Sequence, residues 1–228
     1  MNRKSSKVIT SLLLLALLLS PITILTTCRG SPARNIEGVS PDDWFYRYVV
    51  AGLRFGIIAN ESGGRFRFEP DEDVTLDEFV TMLGRLHEYG HGTIGTPGDG
   101  LDYERYFEWA VERGIILAHP DWDGLTPCTR INREQKAALV MKYILVYDLD
   151  DYFQLHYYGV ALGTFWEHSQ MSLWGRAAVE MLRLRLMISA RYGMFFRPQD
   201  SVSRAEALQI IIRVGSAVYD LVHPLMMK

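Results

Sequence analysis

Apolar residues recur at helical spacing in six stretches of the chain, and turn residues separate these stretches. The first stretch carries Tyr46, Val49, Val50 and Leu53 and is followed by Gly56. Apolar positions with this spacing share one face of an α-helix. A glycine directly after such a pattern is typical of a helix end. The pattern therefore predicts a mainly α-helical fold.

The same order of signals occurs three times along the chain. Each copy has an apolar first helix, an apolar pair of residues, a variable loop, a proline and a second apolar helix. The proline stands four residues before the segment that opens the second helix, at Pro70, Pro127 and Pro198. The three copies span 41–90, 99–148 and 170–222. One copy is too small to bury a core alone, so the repeats are expected to pack on one another.

A helix-capping signal opens the second helix of every copy. The pairs are Thr75 with Glu78, Asn132 with Gln135, and Ser203 with Glu206. In such a pair the first side chain accepts a hydrogen bond from an amide of the first turn. The second side chain reaches back to the amide of the cap residue. These six residues are therefore expected to stabilise the fold, and no ligand is needed to explain them.

An arginine inside this capping signal is not explained by folding. Arg204 and Arg133 occupy the first helical position in the third and second copies, and Leu76 occupies it in the first. A cation at this position opposes the helix dipole. An arginine beside the free amides of a helix N-terminus does suit an anion. Arg204 is therefore the first candidate for anion binding and Arg133 the second, with an ordinary surface arginine as the alternative for each.

Charge and composition change this interpretation only at the N-terminus. The 228 residues carry a formal charge of −3, which gives no support for nucleic-acid binding. Three basic residues precede the apolar run 8–19, which is the layout of a secretory signal peptide over residues 1–27. Residues 28–40 are predicted to be a linker. The protein is thus expected to be exported.

The segment that ends at Cys28 leaves the mode of anchoring open. Residues 25–28 resemble the lipobox of bacterial lipoproteins, in which the cysteine is lipidated, although Thr27 stands where a small residue is usual. Ordinary signal-peptidase cleavage near 31–33 is one alternative. An uncleaved anchor is another, because the apolar stretch 9–25 is near the lower length of a membrane span. A disulfide between Cys28 and Cys128 is a further alternative.

The repeated motifs resemble those of the S-layer homology (SLH) repeat. Its hallmarks are a Trp-bearing first helix, a Gly-Ile end, a Gly-containing loop, a Phe-x-Pro and an Ile-Thr-Arg-Ala-Glu that opens the second helix. The third copy has Val-Ser-Arg-Ala-Glu at 202–206, and the resemblance covers residues 36–222. It implies three helix-loop-helix repeats in a pseudo-threefold arrangement with a central helical bundle. It also implies grooves between repeats that bind anionic cell-wall polysaccharide.

The resemblance implies which residues contact this glycan: Arg204, Arg133, Trp44 and Trp174. The two tryptophans stand near the starts of their first helices, where the family has its tryptophan. In the second copy Asp102 takes this place, with Tyr103 beside it. An indole can stack on a sugar face, and core packing is the alternative role. No cofactor, metal or nucleic acid is expected.

Residues 149–169 depart from the family spacing. This connection is rich in aromatic side chains: Tyr152, Phe153, Tyr157, Tyr158, Phe165 and Trp166. One interpretation is an extra helix that covers exposed apolar faces. The other is an added carbohydrate-stacking surface or a contact with a partner protein.

One motif competes with the binding interpretation. Residues 87–91 read His-Glu-Tyr-Gly-His and match the His-Glu-x-x-His of zinc peptidases. That mechanism needs both histidines one turn apart on a continuous helix, with the glutamate as general base. The helix is expected to stop at Gly90, which would place His91 beyond its last turn. Glu112 would be the third zinc ligand.

The sequence contains no other catalytic set, so the chain is expected not to be an enzyme. The favoured function is non-covalent attachment to the bacterial cell wall through an anionic secondary polysaccharide. One alternative is a degenerate SLH scaffold that acts as a protein-interaction module. The remote alternative is a zinc metallopeptidase. A membrane contact is expected only through the N-terminal lipid or anchor.

Overall fold

Helices dominate the part of the chain that the structure describes. The computed structural model describes residues 36–59, 67–94, 102–149, 165–185, 187–188 and 195–219. Its six α-helices are α1 Tyr46–Arg54, α2 Leu76–His91, α3 Asp102–Glu112, α4 Arg133–Val146, α5 Leu173–Leu184 and α6 Arg204–Tyr219. Short 3₁₀ turns occur at Pro120–Trp122 and His168–Gln170. The predicted mainly α-helical fold is confirmed.

Capping boxes open α2 and α4, and a single cap hydrogen bond opens α6. The Glu78 side chain accepts the Thr75 amide at 3.0 Å, and the Gln135 side chain accepts the Asn132 amide at 2.9 Å. Both boxes are reciprocal. At the start of α6 the Ser203 hydroxyl accepts the Glu206 amide at 3.4 Å. The cap residues thus stabilise the first turns of α2, α4 and α6.

The end of α2 differs from the expectation. The helix continues to His91, and Gly92 then adopts a φ of +88°, in the left-handed region that favours glycine. Gly90 lies inside the helix, where the ring of Tyr219 packs against it and leaves no room for a Cβ. The prediction that the helix stops at Gly90, with His91 beyond it, is wrong. Gly90 serves close packing and does not end the helix.

Each first helix packs against the second helix of another repeat. The pairs are α1 with α6, α3 with α2, and α5 with α4, and α2 also contacts α6. The apolar faces of the first helices are therefore buried between repeats. The packing follows one cyclic order: the first helix of repeat 1 packs on repeat 3, that of repeat 2 on repeat 1, and that of repeat 3 on repeat 2.

The segments that enter the second helices form a closed cycle of backbone hydrogen bonds. The Val74 amide donates to the Val202 carbonyl at 2.8 Å, the Val202 amide to Ile131 at 3.2 Å, and the Ile131 amide to Val74 at 3.1 Å. All three side chains are fully buried. Because buried backbone groups must be paired, the cycle holds the three helix entries together. The pseudo-threefold arrangement of whole repeats stays a prediction.

Several predictions concern residues outside the described ranges. The predicted signal peptide, Cys28 and most of the linker precede residue 36, so export and lipidation stay predictions. The boundaries of the three repeats also stay predictions. Cys128 is an exposed free thiol. Among the described helices, none has the length and apolar character to cross a membrane.

Candidate functional site

The first amides of α2, α4 and α6 already donate to protein carbonyls. In α6 the Arg204 amide donates to Glu72 at 2.8 Å and the Ala205 amide to Pro70 at 3.1 Å. The matching acceptors are Asp200 and Pro198 for α4, and Thr129 and Pro127 for α2. A helix N-terminus binds an anion through amides that are free. Anion binding would therefore have to depend on the arginine side chains and not on these amides.

A groove of about 340 Å³ lies where residues of all three repeats meet beside α2. We call it groove 1. The buried apolar residues Ile57, Phe68 and Met82 form part of its lining. Its polar lining residues are Arg67, Asp77, Glu78, Thr81, Arg85, Tyr103 and Arg204. Repeat 1 supplies most of the groove, Tyr103 comes from α3 of repeat 2, and Arg204 comes from repeat 3.

Arg204, the first candidate from the sequence, lies in groove 1 and is 24% exposed. Its guanidinium lies 2.8 Å from the Glu72 carboxylate, 3.1 Å from Glu78 and 3.7 Å from Glu69. Glu78 also belongs to the capping box of α2. Glu72 is more than half exposed. An anion that binds Arg204 would therefore compete mainly with Glu72.

Two further arginines line groove 1 and were not singled out from the sequence. Arg67 is largely exposed and pairs with Glu69 at 3.3 Å. Arg85 lies seven residues after the cap glutamate Glu78, and Arg213 holds the same place after Glu206. Alignment of the copies could thus have revealed Arg85. The groove presents three guanidinium groups, the side chain best suited to a planar carboxylate or phosphate.

Arg133, the second candidate, is buried. Its side chain is 7% exposed, Nη1 lies 3.0 Å from Glu206, and Nε donates to the Phe196 carbonyl at 2.7 Å. The guanidinium also lies 5.0 Å from the centre of the Phe196 ring. These contacts join α4 to α6 and to the segment before it. The observed role of Arg133 is structural, and its contact with a glycan stays a prediction.

The pocket around Arg133 uses the same repeat positions as groove 1 but measures only about 70 Å³. Met187, Ile188, Gln209, Ile210 and Arg213 stand where groove 1 has Ile57, Ile58, Thr81, Met82 and Arg85. Gln209 is larger than Thr81. Arg213 donates from Nη1 to the Met187 carbonyl at 3.1 Å. The larger Gln209 thus accompanies a smaller pocket beside Arg133.

The arginine and glutamate of the capped segments pair across repeats. Arg204 pairs with Glu78 of repeat 1, and Arg133 pairs with Glu206 of repeat 3. The same cyclic order would pair positions 76 and 135, where the chain has leucine and glutamine. Loss of the arginine alone would leave a carboxylate without its partner, which is costly in a buried position. The tertiary order explains why both charges are missing together.

Neither Trp44 nor Trp174 is among the residues that line groove 1. Trp44 is 51% exposed, and its ring meets two aromatic neighbours edge-on. Trp174 donates from Nε1 to Asp121 at 2.9 Å and packs edge-on against Trp122. Tyr103, the substitute in the second copy, is an exposed aromatic residue at groove 1, whereas Phe68 in the same lining is buried. A glycan contact of the two tryptophans stays a prediction.

Both histidines of the zinc-peptidase motif line a pocket of about 420 Å³ at the end of α2. Because α2 includes His91, its ring stacks on His87 with centroids 4.4 Å apart. Tyrosine hydroxyls approach both Nδ1 atoms: Tyr143 lies 3.5 Å from His87, and Tyr219 lies 3.0 Å from His91. Burial, then the charges of His91 and Arg113, lower the pKa of His87 to about 4. His87 is thus neutral at neutral pH.

Glu88, the would-be general base, is bound within the protein. Its carboxylate accepts the Tyr106 hydroxyl at 2.7 Å and the Ile94 amide at 2.9 Å, and Arg105 lies 3.4 Å away. Burial and this hydrogen bond raise the pKa of Tyr106 to about 12. Glu112 lines the same pocket. Among the described residues, however, no three metal-ligating side chains come close enough to hold a metal.

Only the last part of the aromatic connection is described, since residues 150–164 lie outside the described ranges. Phe165 is buried and packs on Phe196 with ring centroids 5.2 Å apart. The next residue, Trp166, is 74% exposed. The connection therefore ends with one aromatic ring in the core and one in solvent. The predicted extra helix stays untested.

Comparison with known proteins gives two partial similarities. The chain is 28% identical over 149 residues to an amylopullulanase of Thermoanaerobacterium thermosulfurigenes, a match that covers 64% of this chain and 8% of that protein. It is 24% identical over 107 residues to an endoglucanase of Bacillus sp. (strain KSM-635), which covers 43% of this chain and 11% of that protein. No family model matches the chain. The chain spans about a tenth of the length of these relatives.

Proposed function

We propose that the chain is a non-catalytic module that attaches to the bacterial cell wall by binding an anionic wall polysaccharide in groove 1. The observation that carries this proposal is the meeting of Arg67, Arg85 and Arg204 with Tyr103 above a buried apolar floor. The comparisons support a link to polysaccharides, because the relatives are named as an amylopullulanase and an endoglucanase. Because each match covers so little of the relative, it suits an accessory module better than a catalytic domain.

The chemistry of groove 1 suits an acidic sugar. A guanidinium group binds a carboxylate through two parallel hydrogen bonds. The ring of Tyr103, about one-third exposed, can lie against the apolar face of the same or the next sugar. To bind Arg204, the ligand exchanges with Glu72, and this costs little because partly exposed ion pairs contribute only about 0–1 kcal/mol.

Replacing Arg204 with glutamine should weaken binding to purified cell-wall sacculi by roughly 10–100-fold, the value of a charge-assisted hydrogen bond. The measurement is a sedimentation pull-down with increasing sacculus concentration. Arg130→Gln is the matched control, because Arg130 is exposed, pairs with Asp73 at 3.4 Å and does not line groove 1. The control variant should bind like the unchanged protein.

Removal of the secondary polymer from the sacculi should abolish binding. Raised salt should weaken binding, since salt screens the attraction between solvent-exposed charges. Full binding to stripped sacculi would contradict the proposal. Equal binding by the Arg204→Gln and Arg130→Gln variants would show that groove 1 is not the binding site.

Replacing Glu72 with glutamine should strengthen binding to sacculi by up to about fivefold. The reason is that Glu72 occupies Arg204 in the free protein at 2.8 Å, and an exposed pair of this kind contributes up to about 1 kcal/mol. Asp73→Asn is the control, because it removes the neighbouring negative charge, whose ion-pair partner is Arg130. If both variants gain equally, the effect is general charge and not release of Arg204.

A further inference from the structure

Two short segments, 165–166 and 195–196, each place one aromatic ring in the core and one in solvent. Phe165 and Phe196 form the inner, buried pair. Trp166 and Phe195 form the outer pair, with centroids 5.9 Å apart and ring planes 26° from parallel. They are 74% and 44% exposed. We call this outer pair the aromatic platform.

A buried carboxylate holds the platform together. Glu167 is 9% exposed, and its two oxygens accept the amides of Phe196 at 3.0 Å and Arg197 at 3.2 Å. Glu167 directly follows Trp166, and Phe196 directly follows Phe195. This one side chain therefore fixes the two platform residues relative to each other.

The turn beside the platform is strained. Arg197 has a φ of +56°, a left-handed conformation that side-chain-bearing residues rarely adopt. Such strain persists where the surrounding structure enforces it, and it is common at binding sites. Here the Glu167 carboxylate accepts the Arg197 amide and so contributes to holding the turn.

Folding explains the inner pair but not the outer one. Single exposed apolar side chains are ordinary on protein surfaces. Here two exposed rings stack on each other and form one apolar patch, in which Trp166 is the more exposed ring. Arg197 and Asp200 form an exposed ion pair at 3.6 Å in the adjoining turn. An exposed ring face beside polar groups matches a pyranose ring, which has apolar C–H faces and a polar edge.

We propose that Trp166 and Phe195 are a second glycan contact that stacks on uncharged pyranose rings of the polysaccharide. The inference rests on the proposed function, since both sites take the same polymer. Two aromatic side chains bury at most about 500 Å². A stable protein interface needs about 800 Å² on each partner. A sugar therefore fits the platform better than a second protein or a second copy of the chain.

The test compares two probes: intact sacculi, and sacculi whose carboxyl groups have been chemically reduced to alcohols. Trp166→Ala should weaken binding to both by about five- to tenfold, because stacking needs no charge. Arg204→Gln should weaken binding to intact sacculi alone. Leu173→Ala is the matched control, because Leu173 is an exposed apolar residue without a ring and is 80% exposed. Trp166→Phe should retain part of the affinity.

The outcomes separate the two proposals. If Arg204→Gln weakens binding while Trp166→Ala equals Leu173→Ala, the platform inference is overturned and groove 1 stands. If neither variant changes binding to sacculi, both proposals fail. If Trp166→Ala changes only self-association in analytical ultracentrifugation, the platform is a contact between copies and the inference is also overturned. Equal thermal unfolding of the variants ensures that each compared protein is folded.

Discussion

Replacing Arg133 with leucine should destabilise the protein by about 3–5 kcal/mol, the usual cost of leaving a buried charge without its partner. The Arg133 and Glu206 side chains are only 7% and 8% exposed and lie 3.0 Å apart. The substitution also removes the donor to the Phe196 carbonyl. Urea unfolding followed by circular dichroism measures the loss.

The equivalent pair of positions, Leu76 and Gln135, supplies the control. Changing Arg133→Leu together with Glu206→Gln recreates the pair that the chain already has at Leu76 and Gln135. This double variant should recover most of the lost stability, because no buried charge remains unpaired. Arg204→Leu should cost about 1 kcal/mol or less, since its carboxylate partners are 40–55% exposed. A double variant as unstable as Arg133→Leu would show that charge pairing is not the cause.

Acidification from pH 6.5 to pH 4 should lower the free energy of unfolding by up to about 3 kcal/mol through His87 alone. The pKa of His87 is lowered from 6.5 to about 4 in the folded protein. Over this interval the unfolded chain binds a proton that the folded chain does not. Stability is therefore complete above pH 6.5, falls as the pH drops, and loses nothing more from this group below about pH 4.

The surroundings of His87 account for this cost. Trp109 of α3, Tyr143 of α4 and Tyr147 after it pack around the ring, and the His91 and Arg113 charges oppose a second positive charge. Carboxylates titrate in the same range, so the measured quantity is the difference between the unchanged protein and His87→Gln. That difference should shrink as the pH falls from 6.5 to 4.

His119→Gln is the control for the titration, because His119 is exposed beside Asp121. The His119→Gln variant retains His87, so it should keep the acid-induced loss of stability that His87 causes. If the His87→Gln variant keeps the same loss, His87 is protonated equally in the folded and unfolded states. The same measurement reports whether His87 is a neutral packing element.

The local architecture was predictable from the sequence to a large extent. Helix periodicity, cap pairs and the repeated proline are short-range signals, so they predict α2, α4 and α6 and their first turns. The end of α2 was not predictable in this way. Gly90 has the local character of a helix stop, but the ring of Tyr219, more than a hundred positions later, requires a residue without a side chain inside the helix.

The candidate site was predictable only in part. Arg204 and Tyr103 stand at repeat positions that the sequence indicates, and Arg85 follows from alignment of the copies, but only the structure brings Arg204 and Tyr103 from two other repeats beside Arg67 and Arg85. Trp44 and Trp174 share one repeat position, yet Trp174 finds Asp121 as a hydrogen-bond partner and Trp44 stays half exposed. The partners of a surface side chain come from other repeats, and local sequence does not report them.

The arginine in the capping signal separates what the local sequence determines from what the tertiary structure decides. The sequence by itself determined that three helices begin with a cap and that two of them carry an arginine at the first position. Only the tertiary structure decided that Arg133 is enclosed by Phe196 and Glu206 while Arg204 lies in groove 1. The physical reason is that a cap is formed within one turn of helix, whereas burial and charge pairing depend on which repeat lies opposite.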